Sequence, residues 1–200
     1  MIAIVDYGMG NLRSVSKALE RVGCATALAE TPEAVMGAEK LVVPGVGAFG
    51  DAMKELERKG LVGPIREYAR SGRPLMGICL GMQVFFESSE EDPGIEGLCL
   101  LRGTVRRFTD AGLKIPHMGW NSLAVRKGSR LLAGLGESPH VYFVHSYYVA
   151  PEDEGVAAAM SAYGERFTAA VETGNLVGTQ FHPEKSQATG LRILGNFASM

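Results

Sequence analysis

Hydrophobic positions along the chain follow two different rhythms. Over roughly the first ninety residues, short continuous apolar runs alternate with segments of helical spacing. Ile2–Val5, Cys24–Ala29, Leu41–Val43 and Pro74–Ile78 read as strands. Leu12, Val15, Leu19 and Val22 recur at the three-to-four spacing of one helix face, and Gly23 follows as a stop. Thr31-Pro32-Glu33 reads as an N-cap with proline at the first helical position. Helices are expected over Phe49–Arg58 and Val62–Arg70, and a shorter one from Cys79 to near Ser88. Continuous rather than alternating strands belong to parallel sheets covered on both faces. The pattern therefore predicts an α/β fold with a doubly wound, mostly parallel sheet in a flavodoxin-like three-layer arrangement.

The second half changes character. Gly97–Phe108, Trp120–Val125, Val141–Val149, Val156–Tyr163, Phe167–Glu172 and Leu176–Gln180 read as strands separated by turn signals. Antiparallel strands added to the parallel core are expected, closed by a last helix over Thr189–Ala198. No repeat, low-complexity segment or linker divides the chain, so residues 1–200 read as one domain.

Composition narrows the classes. Twenty Lys+Arg against 22 Asp+Glu leave a formal charge of −2, without the basic surplus of a nucleic-acid binder. No run approaches the roughly 18 to 20 apolar residues of a membrane span. The opening MIAIVDYG lacks the basic start of a signal peptide. Three cysteines argue against a disulfide framework and set a cytoplasmic location as the default. Cys24 and Cys99 fall in expected strands and are assigned to the core. Glycine, 26 of 200 residues, exceeds its usual share of about 7%. It clusters at expected strand ends as Gly8 and Gly10, Gly45 and Gly47, and Gly77 and Gly81. Ligands of open α/β sheets bind beyond those ends.

Gly77-Ile78-Cys79-Leu80-Gly81 sits between an apolar strand and a helical segment. A sharp strand-to-helix turn there would present the thiol at the sheet edge, with the Leu80 N–H placed to hold an oxyanion. The competing reading is a buried structural cysteine between packing glycines. His182-Pro183-Glu184 follows another apolar strand, and its i, i+2 spacing lets carboxylate and imidazole share a side. Alone it reads more readily as a surface loop with a histidine. With Cys79 it completes a Cys-His-Glu set. Gly45, Val46 and Gly47, after Pro44, are candidates for a second oxyanion donor or for a simple turn. No His/Cys/Asp/Glu spacing fits a metal site. The glycine loop Asp6–Asn11 lacks G-x-G-x-x-G and the P-loop lysine of nucleotide sites.

Gly77–Gln83, Phe181-His182-Pro183-Glu184-Lys185-Ser186 and Pro44-Gly45-Val46-Gly47 together resemble the class I, triad-type glutamine amidotransferases, along the whole chain. Asp6–Val15, Pro116-His117-Met118-Gly119-Trp120-Asn121 and Phe143-Val144-His145-Ser146-Tyr147 are similar to one branch of that family. In this branch ammonia passes to a separate (β/α)8-barrel cyclase subunit making imidazole glycerol phosphate in histidine biosynthesis. The resemblance implies that Cys79 attacks the glutamine amide, His182 moves the proton and Glu184 orients His182. Gln83 and Glu91 would contact the amino-acid end of glutamine, and backbone at Ser146 and Tyr147 its carboxylate. Asn11, Met118, Trp120, Tyr142, His145 and Lys185 would lie at or near the face that docks the barrel. No cofactor or metal is implied. Two other enzymes share the triad: an amidotransferase glutaminase of another pathway, such as pyridoxal phosphate synthesis, and an α/β cysteine hydrolase. A catalytically silent interaction module would not need it.

Overall fold

The computed structural model describes residues 1–109 and 112–200. In chain order the elements are β1 (Ile2–Val5), α1 (Leu12–Arg21), β2 (Thr26–Ala29), α2 (Pro32–Gly37), β3 (Lys40–Gly45), α3 (Phe49–Arg58), α4 (Val62–Arg70), β4 (Leu75–Cys79) and α5 (Leu80–Gln83). There follow β5 (Ser88–Ser89), β6 (Gly103–Arg107), β7 (His117–Ser122), β8 (Ala124–Val125), β9 (His140–His145), β10 (Tyr147–Pro151), β11 (Ala157–Tyr163), β12 (Glu165–Thr173), β13 (Leu176–Thr179) and α6 (Gln187–Ala198).

The main sheet runs β2-β1-β3-β4-β13-β12-β10-β6-β5, with β11 and β8 continuing from β12. Its first five strands are parallel, and β12, β10 and β6 add to them antiparallel. Side chains alternate between two cores. Ile4, Val42 and Ile78 face α1 and α6. Val5, Val43 and Leu75 face α2, α3 and α4. Both faces of the central strands are therefore covered, which is why those strands carry unbroken apolar runs. Thr31 caps α2 through Ala34 N–H, and Pro32 opens that helix. No helix among the described residues is long and apolar enough to cross a membrane.

The structure corrects several expected elements. The helix after Cys79 is a single turn, Leu80–Gln83, and does not reach Ser88. Strand β3 continues through Pro44 and Gly45 instead of turning there. Of Gly97–Phe108 only Gly103–Arg107 is a strand. The N–H groups of Gly97, Leu98 and Leu100 donate back to Glu87, Val84 and Phe85, closing a loop over the end of α5 instead of extending the sheet. Cys99 consequently lies in that loop, exposed and at a φ of 49°, not in the core. Cys24 is half-buried and precedes β2. The expected strand Val141–Val149 breaks at Ser146. β9 joins β7 in a separate two-stranded ribbon, while β10 joins the main sheet. Trp120–Val125 likewise divides between β7 and β8.

Candidate active site

Strands β3, β4 and β13 end side by side, and their carboxyl ends build the site. The register sets Gly45 opposite Cys79 and Thr179 opposite Ile78. Cys79 takes φ 55° and ψ −113°, a strained conformation for a residue with a side chain. That bend lets β4 pass straight into α5 and leaves Cys79 7% exposed at the sheet edge. The flanking glycines are steric requirements. A Cβ on Gly77 would stand 2.6 Å from the Gly81 carbonyl oxygen, and one on Gly81 would run into the Val43 carbonyl.

His182 has the extended backbone expected before proline, and Pro183–Lys185 forms a 3-10 turn. The turn brings Nδ1 of His182 to 2.8 Å from Oε1 of Glu184, with both side chains almost fully buried. Nδ1 therefore donates to the carboxylate, and Nε2 is the ring atom left for chemistry. Nε2 makes no regular hydrogen bond among the described residues. Burial pulls the His182 pKa down, but the neighbouring Cys79 thiol and the bonded Glu184 carboxylate, with their negative charge, outweigh it and raise the pKa to about 10. The thiol is thus the electrostatic partner of the ring, in a looser geometry than the Glu184 bond. Unliganded acid–base pairs commonly align only around substrate. The loop is pinned from outside: His182 N–H donates to the Tyr142 carbonyl, and Ser186 Oγ donates to the His182 carbonyl.

Cys79 and His182 open on a cavity of about 340 Å³ also lined by Val46, Gly47, Leu80, Gln83, Glu91, Ser146 and Tyr147. Every residue assigned to the glutamine from sequence thus lies on the wall of one cavity. Glu91 is held by Phe49 N–H at the start of α3, 2.9 Å from Oε2, and burial raises its pKa. Gln83 donates to the Tyr147 carbonyl at 2.9 Å and to Gln180 Oε1 at 3.1 Å. The peptide before Gly45 is fixed by Tyr7, whose hydroxyl donates to the Pro44 carbonyl at 2.8 Å. Burial, and then the charge at Cys79, raise the pKa of Tyr7 well above its usual value.

Sequence reasoning missed Gln180, Tyr7 and Ser186, although each touches the triad or a strand end beside it. His145, expected at or near the docking face, is buried on the cavity side of β9. On β9 side chains alternate, so Tyr142 and Val144 point outward while Val141, Phe143 and His145 point in. His145 is 6% exposed and bonded through Nδ1 to the Tyr147 carbonyl, so its side chain is not on an outer face. Met118 and Trp120 are 62% and 48% exposed, and Trp120 lies edge-on to Tyr142. Lys185 is exposed, its ammonium 5.9 Å from the centre of the Tyr142 ring. Asn11 caps α1 through Ser14 N–H. Among the described residues no group of three or more His, Cys, Asp or Glu is arranged to hold a metal.

Residues 3–199 match the family described as glutamine amidotransferase class-I. The chain is 54% identical over 197 residues to the imidazole glycerol phosphate synthase subunit HisH of Desulfitobacterium hafniense (strain DSM 10664 / DCB-2), covering 98% of this chain and 93% of that protein. It is 53% identical over 195 residues to the protein of the same description from Aquifex aeolicus (strain VF5), covering 97% and 94%. Among solved structures, one described as a glutamine amidotransferase superposes with a TM-score of 0.78 at 25% identity over the full length of both chains.

Proposed function

The chain belongs to the class-I glutamine amidotransferases, and from that premise we propose that it is the glutaminase subunit of an imidazole glycerol phosphate synthase. Its reaction is the hydrolysis of glutamine to glutamate and ammonia. Cys79 Sγ attacks the side-chain amide carbon while His182 takes the thiol proton. The oxyanion forms beside the Leu80 N–H and the strand end Gly45-Val46-Gly47. The C–N bond then breaks, with His182 giving its proton to the departing ammonia. A glutamyl thioester remains. Water, deprotonated by His182, attacks it and releases glutamate. Glu184 holds the ring in the orientation that keeps Nε2 on the reacting atoms and stabilises the imidazolium. Gln83 and Glu91 receive the amino-acid end of the substrate, and backbone at Ser146 and Tyr147 its carboxylate.

The observation that carries this reading is the convergence of Cys79, His182 and the expected glutamine contacts on one cavity, with Glu184 behind the histidine. The partner is a (β/α)8-barrel cyclase subunit in a cytoplasmic heterodimer, docked on the face bearing Asn11, Met118, Trp120, Tyr142 and Lys185. Ammonia passes to it without entering solvent. Exposed Met118 and Trp120, two residues apart on β7, support that face, since large aromatic and methionine side chains are favoured anchors of docking surfaces. The whole chain forms a single domain, and its chemistry uses no metal or cofactor.

Glutamate release from glutamine, measured with and without a barrel subunit, tests the proposal. Cys79→Ser abolishes it, while the complex still makes product from free ammonia. Retained glutamine hydrolysis in Cys79→Ser would overturn the assignment. A glutamine-like electrophile labels Cys79 alone. Cys99 is exposed, but partial burial and then the nearby Glu96 charge raise its pKa, which keeps that thiol protonated.

A further inference from the structure

Gln180 is fully buried immediately beyond β13, beside the carboxyl end of β4. Its Nε2 lies 3.7 Å from Cys79 Sγ, within hydrogen-bond reach of sulfur. The orientation of this amide is not arbitrary. The Tyr147 carbonyl only accepts, so the Gln83 amide must turn its nitrogen toward it. The same nitrogen donates to Gln180 Oε1. With its oxygen so engaged, Gln180 turns its N–H groups to the sulfur. A run of donors, each fixed by the next, thus starts at a backbone carbonyl in the cavity wall and ends on the thiol.

We propose that Gln180 is a positioning residue for the nucleophile: its Nε2–H donates to Cys79 Sγ, holding the sulfur on the cavity side and favouring the thiolate. The strained turn at Cys79 fixes the backbone, but the side chain still has a rotamer to choose. Gln180 selects it. Its amide nitrogen acts on the sulfur, whereas Glu184 acts on the ring and Gly45 and Leu80 lie at the oxyanion; its oxygen also holds Gln83. A neutral amide donor suits the place. It stabilises charge on sulfur without adding a titrating group of its own, and a lysine there would compete with His182 for the negative partner. Placement of a glutamine at this fully buried strand end, at the cost of burying an amide, is explained by this contact.

The inference rests on Cys79 being the nucleophile, but its test reads the thiol itself and stands whatever the substrate. Gln180→Met keeps the length and removes the donor. Gln180→Glu keeps the shape and replaces the donor by an acceptor. In the full chain, iodoacetamide alkylation of Cys79 at neutral pH, followed by mass spectrometry, slows by about tenfold in Gln180→Met, and its pH profile moves up by about one unit. Gln180→Glu shifts it at least as far. In the complex with the barrel subunit, kcat of Gln180→Glu, which keeps an oxygen for Gln83, falls by a similar factor while KM for glutamine stays close to that of the parent. A side chain that only fills space would leave the alkylation profile unmoved. Superimposable profiles in the folded variants overturn the proposal. So does collapse of both variants, which would make Gln180 a packing residue.

Discussion

On the proposed mechanism His182 carries more of the reaction than Glu184, because it would handle the proton twice while Glu184 acts only through it. His182→Ala is expected to lower kcat by about 10³-fold or more, and Glu184→Gln by a clearly smaller factor, in steady-state glutaminase assays of the complex. The reverse ranking would contradict these roles. Both residues were legible in the sequence because their spacing is local. Two residues apart across a proline, they could share a side, and the 3-10 turn over Pro183–Lys185 brings them together. Cys79 was legible for a similar reason, since Gly77 and Gly81 announce a bend that no larger residue fits. Gln180 was not, because it sat inside an expected strand, Leu176–Gln180, and its partners Gln83 and Cys79 are about a hundred residues away. The signal available was a polar residue in an apolar run. For His145 the signal was stronger. Counting by twos along β9 from Val141 places it inward, a rule that its place in a motif obscured.

The strands of the parallel half declared themselves by continuous burial, whereas ribbon β7–β9 did not, since only one of its faces is covered. That inner face holds His117 and His145, packed against Phe108, Phe143 and Phe167. Their protons are fixed by the network. The Tyr147 carbonyl takes the His145 Nδ1–H, His145 Nε2 takes the His117 Nδ1–H, and Asn121 donates to His117 Nε2. Both rings are neutral in this arrangement. Burial lowers the pKa of His117 to about 4 and, with smaller contributions from His117 and His182, that of His145 to about 3. Unfolded, each titrates near 6.5. Between those values the unfolded chain binds protons that the folded chain refuses, so stability falls as pH drops below about 6.5. The slope is about 1.4 kcal/mol per pH unit for each fully titrating histidine. Urea unfolding midpoints at pH 7 and pH 5 are expected to show the loss, and His117→Gln with His145→Gln to flatten it. His182 has the opposite sign. Its raised pKa contributes stability below about 6.5 that is lost as pH climbs toward 10. An acid-side loss undiminished in the double variant would place its origin elsewhere.

On the proposed reading, docking and catalysis would meet on a single ribbon. The outer face of β7–β9 presents Met118, Trp120, Tyr142 and Val144, and cross-strand pairing sets Trp120 opposite Tyr142. The Tyr142 carbonyl accepts the His182 N–H, and the next residues after β9, Ser146 and Tyr147, line the cavity. A partner seated on the outer rings therefore presses on the strand that anchors the catalytic histidine and forms one wall of the substrate site. On the far side of the cavity, β3 ends at Gly45, opposite Cys79. A peptide turning there on docking would complete the oxyanion site. A Cβ on Gly45 would lie 2.8 Å from Gly81 N and Leu80 Cβ, so Gly45→Ala strains the fold itself and does not isolate that step. The ribbon offers a cleaner separation. What holds His182 is the peptide of Tyr142, and the ring is free to serve the partner. Trp120→Ala and Tyr142→Ala remove rings and leave every backbone bond in place. Truncating a central aromatic anchor commonly costs about 2 kcal/mol or more of binding, a weakening of about thirtyfold. Each variant is thus expected to bind the barrel subunit at least about tenfold less tightly in calorimetry and to lose partner-stimulated glutamate release at limiting partner, with recovery when the partner is in excess. The melting temperature of the free chain should shift by only a few degrees, because Trp120 is half exposed before any partner arrives. If both substitutions unfold the chain while binding by the folded fraction is unchanged, the rings are structural and the docking face lies elsewhere.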